Sequence, residues 1–586
     1  MKTNRVKTLK PETISLSFAG VGILLWFLWP ILDSAYVADD IPNSQRSAYL
    51  AFYSENWLQF VIRGTRQWMQ SEGRFFPVAT LENVLLFHTI HSRFIYKSLQ
   101  LIFILFLILT LSYLVRLLTN CWRASLLVLI FFAASLQVRV WYDPTISFGL
   151  LLPSVGIKAI CALVLILLGI RSEKKWHRRA YFVVASISWS LALMQYEVVL
   201  LIAPLAVLIA FHETQYSKII RVGAVFAIAL PSVTYTIFSF VIRSGVRPST
   251  AYTTNFDPSA FLPTLKYQVL GAIPLTVPYS RVDNRLRISD TIAHLSVLNI
   301  IFCLVALVGI AHLILGLGVF SRKTRATVFL FGVILIVMPA VPTSLSVRWQ
   351  AEVGPGHAYL PVMLQYLGTT MLLLVATIET KNLIKLLIRK NKTVLKSLTV
   401  CFATVLSVGS IAIICVNRSG IEFTNSTFRG FQSDREIFEA TVRRGLVDNS
   451  LRDGVFLYSK YDPNLWINME YVKWLGGPTI ANFGSPTTMI ACRELGNEKC
   501  LKKNGGIFIL EYSSTGSAVA VIAVLRDWSK TPTSKEDIES TLAIARNQSE
   551  LMCGRSKAQM RNGWWVSKCD VGEVGVLQKI QQQYGV

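Results

Sequence analysis

Residues 101–138, LIFILFLILTLSYLVRLLTNCWRASLLVLIFFAASLQV, hold two apolar runs parted by a short turn that Arg116 and Arg123 flank. An α-helix needs about 20 mostly apolar residues to cross roughly 30 Å of hydrocarbon, so each run reads as a membrane span and the basic turn as a loop on one face. The pattern recurs outward from this hairpin. Apolar runs occupy 14–32, 95–115, 124–138, 154–170, 181–196, 198–211, 222–242, 295–319, 327–347, 359–378 and 397–416. The pair at 181–196 and 198–211 shares the tight connection Gln195-Tyr196-Glu197, and reads either as one hairpin or as two broken helices. With 53% hydrophobic and 16% charged residues, against roughly 25% charged in soluble domains, a purely soluble globule is excluded. The expected fold is a polytopic α-helical membrane protein of about 11 spans.

The 586 residues carry a net charge of +24, a balance that fits either nucleic-acid binding or a membrane-orientation bias. Its distribution decides for the membrane. With the amino terminus inside, the inner loops are Lys2 to Lys10, Arg116 to Arg123, Arg171 to Arg179, His212 to Arg221, Arg322 to Arg325 and Glu379 to Lys396. They hold 22 Lys and Arg against only three acids, Glu173, Glu213 and Glu379. That places the N-terminus in the cytoplasm and the C-terminal part on the far side, with no nucleic-acid partner needed. The first run has a basic leader but is long, ends in Trp26, Phe27, Trp29 and Pro30, and lacks a small-x-small site, so it reads as a retained anchor.

Five of the nine cysteines, Cys121, Cys161, Cys303, Cys401 and Cys415, fall in or beside apolar runs. The other four, Cys492, Cys500, Cys553 and Cys569, lie in the tail. There the local pairings 492 with 500 and 553 with 569 are preferred over unpaired thiols, since an oxidising compartment sustains disulfides and these close short loops. No metal-type cysteine spacing accompanies them. Residues 417–586 are enough for one domain, with 1–416 as the membrane module. In the tail, Ser433 followed by Asp434-Arg435-Glu436 predicts a helix start. Gly454 to Ser459, Gly506 to Tyr512, Ala518 to Leu525 and Val574 to Leu577 read as strands. A C-terminal periplasmic α+β domain is expected, and it carries no catalytic signature.

The first outer loop, residues 33–94, is far longer than a connector requires. It places Asp39 and Asp40 side by side soon after the first run. Leu50, Tyr53, Trp57, Val61 and Trp68 then recur near helical spacing, with Gln59, Arg63, Arg66 and Gln67 facing elsewhere, which predicts a helix lying along the membrane surface. Adjacent carboxylates suit proton transfer, one as general base and its neighbour orienting it or engaging sugar hydroxyls. They equally suit capping of the helix that Pro42 begins.

This layout, a long first periplasmic loop bearing Asp39-Asp40, surface helices, some eleven spans and a trailing periplasmic domain, resembles the GT-C superfamily of integral-membrane glycosyltransferases. More narrowly it is similar to the bacterial enzymes that decorate O-antigen with a sugar from a polyprenyl-phosphate carrier. The resemblance implies an inner-membrane enzyme that transfers a monosaccharide, with inversion, from a lipid-linked donor to a lipopolysaccharide or similar glycan. It implies no required cofactor, a divalent cation such as Mg or Mn being optional, and Asp40 or Asp39 as the base.

A phosphate leaving group calls for Arg, Lys or His from the same side. The outer loops supply Arg139, Tyr142 and Asp143, then Glu197, then Arg243, and finally Arg348, Trp349, Glu352, His357 and Tyr359 around Gly354-Pro355-Gly356. Arg348, His357, Arg243 and Arg139 are candidates for the donor phosphate; Glu197, Glu352, Asp143, Trp349 and Tyr142 are candidates for sugar or acceptor. Singly, each has a plainer use: an arginine at a span's edge snorkels, Gly-Pro-Gly makes a turn, and Trp and Tyr form interfacial belts. Two other functions share many of these features: an O-antigen polymerase or ligase acting on a diphosphate-linked oligosaccharide, and a non-enzymatic transporter. The transporter should show related halves and charges deep in the membrane; no such halves are seen, and the acids cluster on the outer side instead.

Overall fold

The computed structural model describes residues 11–139, 143–148, 150–246, 249, 252–278, 296–388, 391–443, 455–459, 471, 474–475, 480–483, 506–512, 518–525 and 564–570. The chain divides into two compact units, one of residues 1–34, 61–83 and 92–425, the other of 35–60, 84–91 and 426–586.

The first unit is helical. The hairpin at 101–138 folds as Arg93–Thr119 and Trp122–Ser135, broken where Asn120 takes the left-handed conformation (φ 52°). Asn tolerates that region better than most residues, and it stops the helix there. Across the hairpin Ser112 Oγ donates to the Ser125 carbonyl at 2.7 Å and Ser125 Oγ donates to the Ser112 carbonyl at 2.9 Å, satisfying both hydroxyls in an apolar setting.

The described part of each expected apolar run falls largely on helices, some of them broken, but fewer of these are long enough to span. Among the described residues seven qualify by length and apolarity: Leu16–Asp33, Arg93–Thr119, Leu151–Arg171, Lys218–Ser244, Arg322–Leu345, Val362–Leu387 and Lys392–Phe428. Trp122–Ser135, Glu197–His212 and Asn299–Leu315 are apolar but shorter. Lys175–Leu193 opens with Lys175, Arg178 and Arg179, which lower its apolarity. Between the expected fifth and sixth runs the chain is broken. Lys175–Leu193 ends, a turn of 3-10 type covers Glu197–Ile202, and a new helix starts at Pro204, whose fixed φ suits a first helical position.

Contacts between the loops sort into two groups. At one end Arg171 pairs with Glu213 at 2.6 Å, Arg123 donates to the Gly316 carbonyl at 2.8 Å, Lys323 reaches Thr214 at 2.6 Å, and Lys381 Nζ donates to the carbonyls of Leu315 and Leu317 at 2.7 Å. The two cations at 314–317 answer the free carbonyls and negative pole of the helix Val297–Leu315. At the other end Gln137 Nε2 donates to the Ile273 carbonyl at 2.7 Å, Val347 N to Thr253 O at 3.0 Å and Gln268 Nε2 to Tyr359 O at 3.1 Å. Loops assigned by charge to one side thus touch one another, and so do those assigned to the other.

Small and polar residues set the helix spacing. Arg322–Val337 and Val362–Leu387 cross so closely that a Cβ on Gly368 would lie 2.6 Å from the Gly332 carbonyl. Asn417 Nδ2 donates to the carbonyls of Ala133 and Ala134 at 3.1 and 3.0 Å, and Asn425 Nδ2 to Pro30 O at 2.6 Å. Both asparagines are buried and act as ties to carbonyls at the ends of neighbouring elements. The helix that carries them, Lys392–Arg443, is one piece of 52 residues. The expected end of the last span at 416 and the expected helix start at Ser433 therefore both fall inside it. At 1.5 Å per residue it is about 78 Å long, far more than a bilayer core.

In the first-loop region the expected single surface helix is two, Arg46–Phe52 and Trp57–Glu72, with Ser54 between them in the left-handed region (φ 51°). Trp57, Leu58, Ile62 and Trp68 are exposed, whereas Leu50 and Val61 are buried.

In the second unit five described strands, β1 (Val455–Ser459), β2 (Ile480–Phe483), β3 (Gly506–Tyr512), β4 (Ala518–Leu525) and β5 (Trp564–Asp570), form one sheet in the order β2-β1-β3-β4-β5. β1 runs parallel to β2 and β3, while β3, β4 and β5 are antiparallel neighbours. The aliphatic and aromatic runs GIFILEY and AVAVIAVL fit paired strands. The strand expected at Val574 to Leu577 lies outside the described residues. Two strands, β2 and β5, lack a sequence expectation. In the same unit Ser47 Oγ donates to the His88 carbonyl at 3.3 Å, and the His91 and Trp474 rings lie 5.8 Å apart.

Candidate functional site

In the helical unit one cluster of charged and aromatic side chains forms at the turn Gln195-Tyr196-Glu197. Arg74, just after the helix Trp57–Glu72, donates from Nη2 to Glu197 Oε1 at 2.6 Å. Its guanidinium lies over the Phe76 ring at 4.1 Å and the Tyr252 ring at 4.3 Å. The arginine is held flat between rings with its fork turned to the carboxylate.

Arg74 Nε and Glu197 Oε2 are both buried and have no hydrogen-bond partner. A buried donor or acceptor without a partner costs about 1–3 kcal/mol. Burial works against the Arg74 charge, yet Glu197 and the tyrosines around it outweigh that and raise its pKa above the usual guanidinium value. Burial pushes the Tyr196 phenol well up, with Tyr359 and Glu197 adding to it; burial also raises Tyr252, against the pull of Arg74. The phenols therefore stay neutral donors beside a fixed cation.

The segment after the helix Arg322–Val337 adds a second face. Trp349, buried on the short helix Val347–Glu352, stacks on Tyr359 with ring centroids 3.7 Å apart. Arg348 lies over the Trp349 ring at 4.8 Å and donates from Nε to Glu352 Oε1 at 2.8 Å. His357 Nδ1 sits 3.4 Å from the Glu352 carbonyl, and Gly356 turns the chain at φ 79°, a conformation that favours glycine. Arg348, Trp349, Glu352, His357 and Tyr359 thus share one compact loop. Tyr359 links it electrostatically to Tyr196 and Arg74.

The other expected site residues divide. Arg243, exposed at the end of the helix Lys218–Ser244, packs its backbone and side chain against Gly73 and donates to the Tyr252 carbonyl at 2.5 Å, so it borders the Arg74 cluster. Arg139 does not present a free guanidinium. It is buried, and its nitrogens bind Tyr366 OH, the Gly356 and Gln137 carbonyls and the carbonyl of Gly271. Asp143 is also buried; Oδ2 accepts from Arg139 N at 2.7 Å and Oδ1 from Thr145 N at 2.7 Å. Burial raises its carboxyl pKa, against Arg139 and these N–H groups. Both residues shape the loop, in contrast to the ligand-binding roles expected of them: four acceptors already occupy the arginine. Tyr142, Cys492, Cys500 and Cys553 lie outside the described residues, and Cys569 is on β5 opposite Ala520.

Asp39 and Asp40 belong to the second unit. Asp39 is exposed and precedes the short helix Asp40–Asn43 without a side-chain capping bond, while Asp40 is fully buried. The two adjacent acids thus occupy unlike environments, the condition under which paired carboxylates take different protonation roles. Among the described residues no group of three or more His, Cys, Asp or Glu is placed to hold a metal ion.

Arg74 and Tyr252 are absent from the sequence-derived set. An arginine flanked by Gly73 and Phe75-Phe76 gives no periodic or motif signal, and Glu197 was singled out only for its position between apolar runs.

No family model matches the chain, and no curated protein matches it. Among solved structures it is similar to ArnT from Cupriavidus metallidurans bound to undecaprenyl phosphate, with a TM-score of 0.39, 10% identity, and coverage of 94% of this chain and 97% of that one. The same protein in the apo state gives a TM-score of 0.36 at the same identity and coverage. Likeness of this extent fixes neither a site nor a reaction.

Proposed function

We propose that the chain is a membrane glycosyltransferase that moves a monosaccharide from a polyprenyl-phosphate carrier to a hydroxyl of a cell-surface glycan, such as O-antigen, on the periplasmic side of a bacterial inner membrane. The observation that carries this reading is the Arg74–Glu197 pair, with the Arg74 guanidinium over the Phe76 and Tyr252 rings and the Trp349–Tyr359 stack in the same unit. A guanidinium suits a phosphate oxygen, a carboxylate suits a sugar hydroxyl, and aromatic faces suit a pyranose ring. A glycosyl phosphate presents all three.

In the proposed step an acceptor O–H gives its proton to a carboxylate as its oxygen attacks the anomeric carbon. The bond from that carbon to the phosphate oxygen breaks, polyprenyl phosphate leaves with the electron pair, and the carbon inverts. Arg74, Arg348 and Arg243 are the candidates to hold the leaving charge, with His357 beside Glu352. The carboxylate is Asp40 or Asp39 on the family resemblance, and Glu197 is the candidate within the helical unit. The test is transfer by purified protein in nanodiscs, with synthetic polyprenyl-phosphate hexoses offered beside a diphosphate-linked oligosaccharide. Release of polyprenyl phosphate with glycosylated acceptor supports the reading; consumption of the diphosphate-linked substrate alone sinks it.

A further inference from the structure

Next to the Arg74–Glu197 pair stands a second polar group of opposite character. Lys158 lies about 10 Å along the span Leu151–Arg171, where a charge is costly unless it is fully answered. Its ammonium has three protons and three acceptors: Glu82 Oε1 at 2.5 Å, Gln195 Oε1 at 2.7 Å and Ser154 Oγ. Gln195 Nε2 donates to Glu82 Oε2 at 2.6 Å, and Ser154 Oγ donates to the same oxygen at 2.8 Å. The four side chains close a ring in which both oxygens of the carboxylate and every ammonium proton are used.

This saturation contrasts with Arg74 Nε and Glu197 Oε2, which have no hydrogen-bond partner. Gln195, buried, is two residues from Glu197, and Val78 N donates to the Met194 carbonyl at 3.3 Å, tying the helix Pro77–Thr89 to the same turn. Glu197 itself follows an extended residue, Tyr196 (φ −159°), and opens the 3-10 turn, so the chain changes direction between the ring and the carboxylate.

We propose that Lys158, Glu82 and Gln195 are positioning residues: their ring holds the 194–197 turn so that Glu197 meets Arg74 in the geometry the transfer reaction needs. This rests on the functional reading above, in which Glu197 and Arg74 face the substrate. Satisfied polar networks rigidify what they join, and a small displacement of a substrate-facing group costs turnover more than binding.

The experiment uses the full chain in nanodiscs and two readouts, hydrogen exchange of the 194–199 peptide and steady-state transfer from a polyprenyl-phosphate hexose. Lys158→Met and, separately, Gln195→Met, which leaves the Lys158–Glu82 pair intact, are expected to speed exchange in 194–199 by about tenfold or more without spreading into Leu151–Arg171. Turnover should fall by about 10²-fold with KM little changed, and Lys158→Arg should recover much of it. Unchanged exchange at 194–199 in Gln195→Met overturns the proposal. So does exchange that rises throughout the helices while kcat and KM move together, the mark of a merely structural ring. If Lys158→Met does not fold, Gln195→Met decides alone. Absence of transfer by the wild-type protein sinks the functional reading, and the exchange measurement still answers whether the ring holds the turn.

Discussion

Glu197 Oε1 accepts a hydrogen bond from Arg74 Nη2 at 2.6 Å, joining residues 123 positions apart in the chain. Neither residue has regular secondary structure behind it on both sides, so the pair depends on the packing of several helices. Arg74→Lys keeps the charge and loses the planar fork. We expect KM for a polyprenyl-phosphate donor to rise at least about tenfold, a change of about 1.4 kcal/mol, with less change in kcat. Donor titration of the variant checks this, and an unchanged KM removes Arg74 from the phosphate.

Asp40→Asn removes a buried carboxylate without changing its shape, and Asp39→Asn does the same at an exposed one. If Asp40 is the base, its variant loses about 10² to 10⁴ in turnover while still entering membranes folded, and the Asp39 variant loses less. Full activity in both would leave Glu197 as the carboxylate to test, through Glu197→Gln.

Trp349 stacks on Tyr359 at 3.7 Å. Trp349→Ala deletes that stack and the ring under Arg348. Beyond lost burial, the aromatic contact alone is worth about 0.5–1.5 kcal/mol, so weaker donor binding is expected along with a lower unfolding temperature. Trp349→Phe should restore most of both. Donor binding measured by tryptophan-independent calorimetry separates this from simple unfolding.

Gly368 faces the Gly332 carbonyl at a distance no side chain tolerates. Gly368→Leu should force Arg322–Val337 and Val362–Leu387 apart and cost about 1–3 kcal/mol or more, read as a fall in the thermal unfolding midpoint in detergent. A variant as stable as the wild type would show that the two helices do not cross here.

Arg139 binds four oxygens of the protein itself. Arg139→Met removes a guanidinium that joins Gly271, Gly356 and Tyr366, and we expect about 1–3 kcal/mol of destabilisation with donor KM unaffected in the folded fraction. A selective rise in KM at full stability would instead return this residue to phosphate binding.

Much of the helical unit was legible in the sequence. Apolar runs of sufficient length leave few alternatives in a bilayer, because every backbone N–H and C=O must be bonded within its own segment. Basic residues mark alternate loops, and the structure brings together the loops that share a mark, as Arg171 with Glu213 and Lys323 with Thr214 show. The stacked, charged loop at Arg348–Tyr359 was visible because polar and aromatic residues crowd a short gap between apolar runs. Span length was less legible: local apolarity does not say where a helix stops, so Lys392–Arg443 runs on through both an expected span end and an expected helix start.

What the sequence by itself determined is the class of the molecule and the kinds of residue available to a site. Only the tertiary structure decided which of them stay available. The sequence points to Arg139 and passes over Arg74, but the first is enclosed by the carbonyls of Gly271 and Gly356 and the second pairs with Glu197. The physical reason is that a guanidinium is committed by whichever acceptors packing brings within about 3 Å, and those acceptors come from segments far away along the chain.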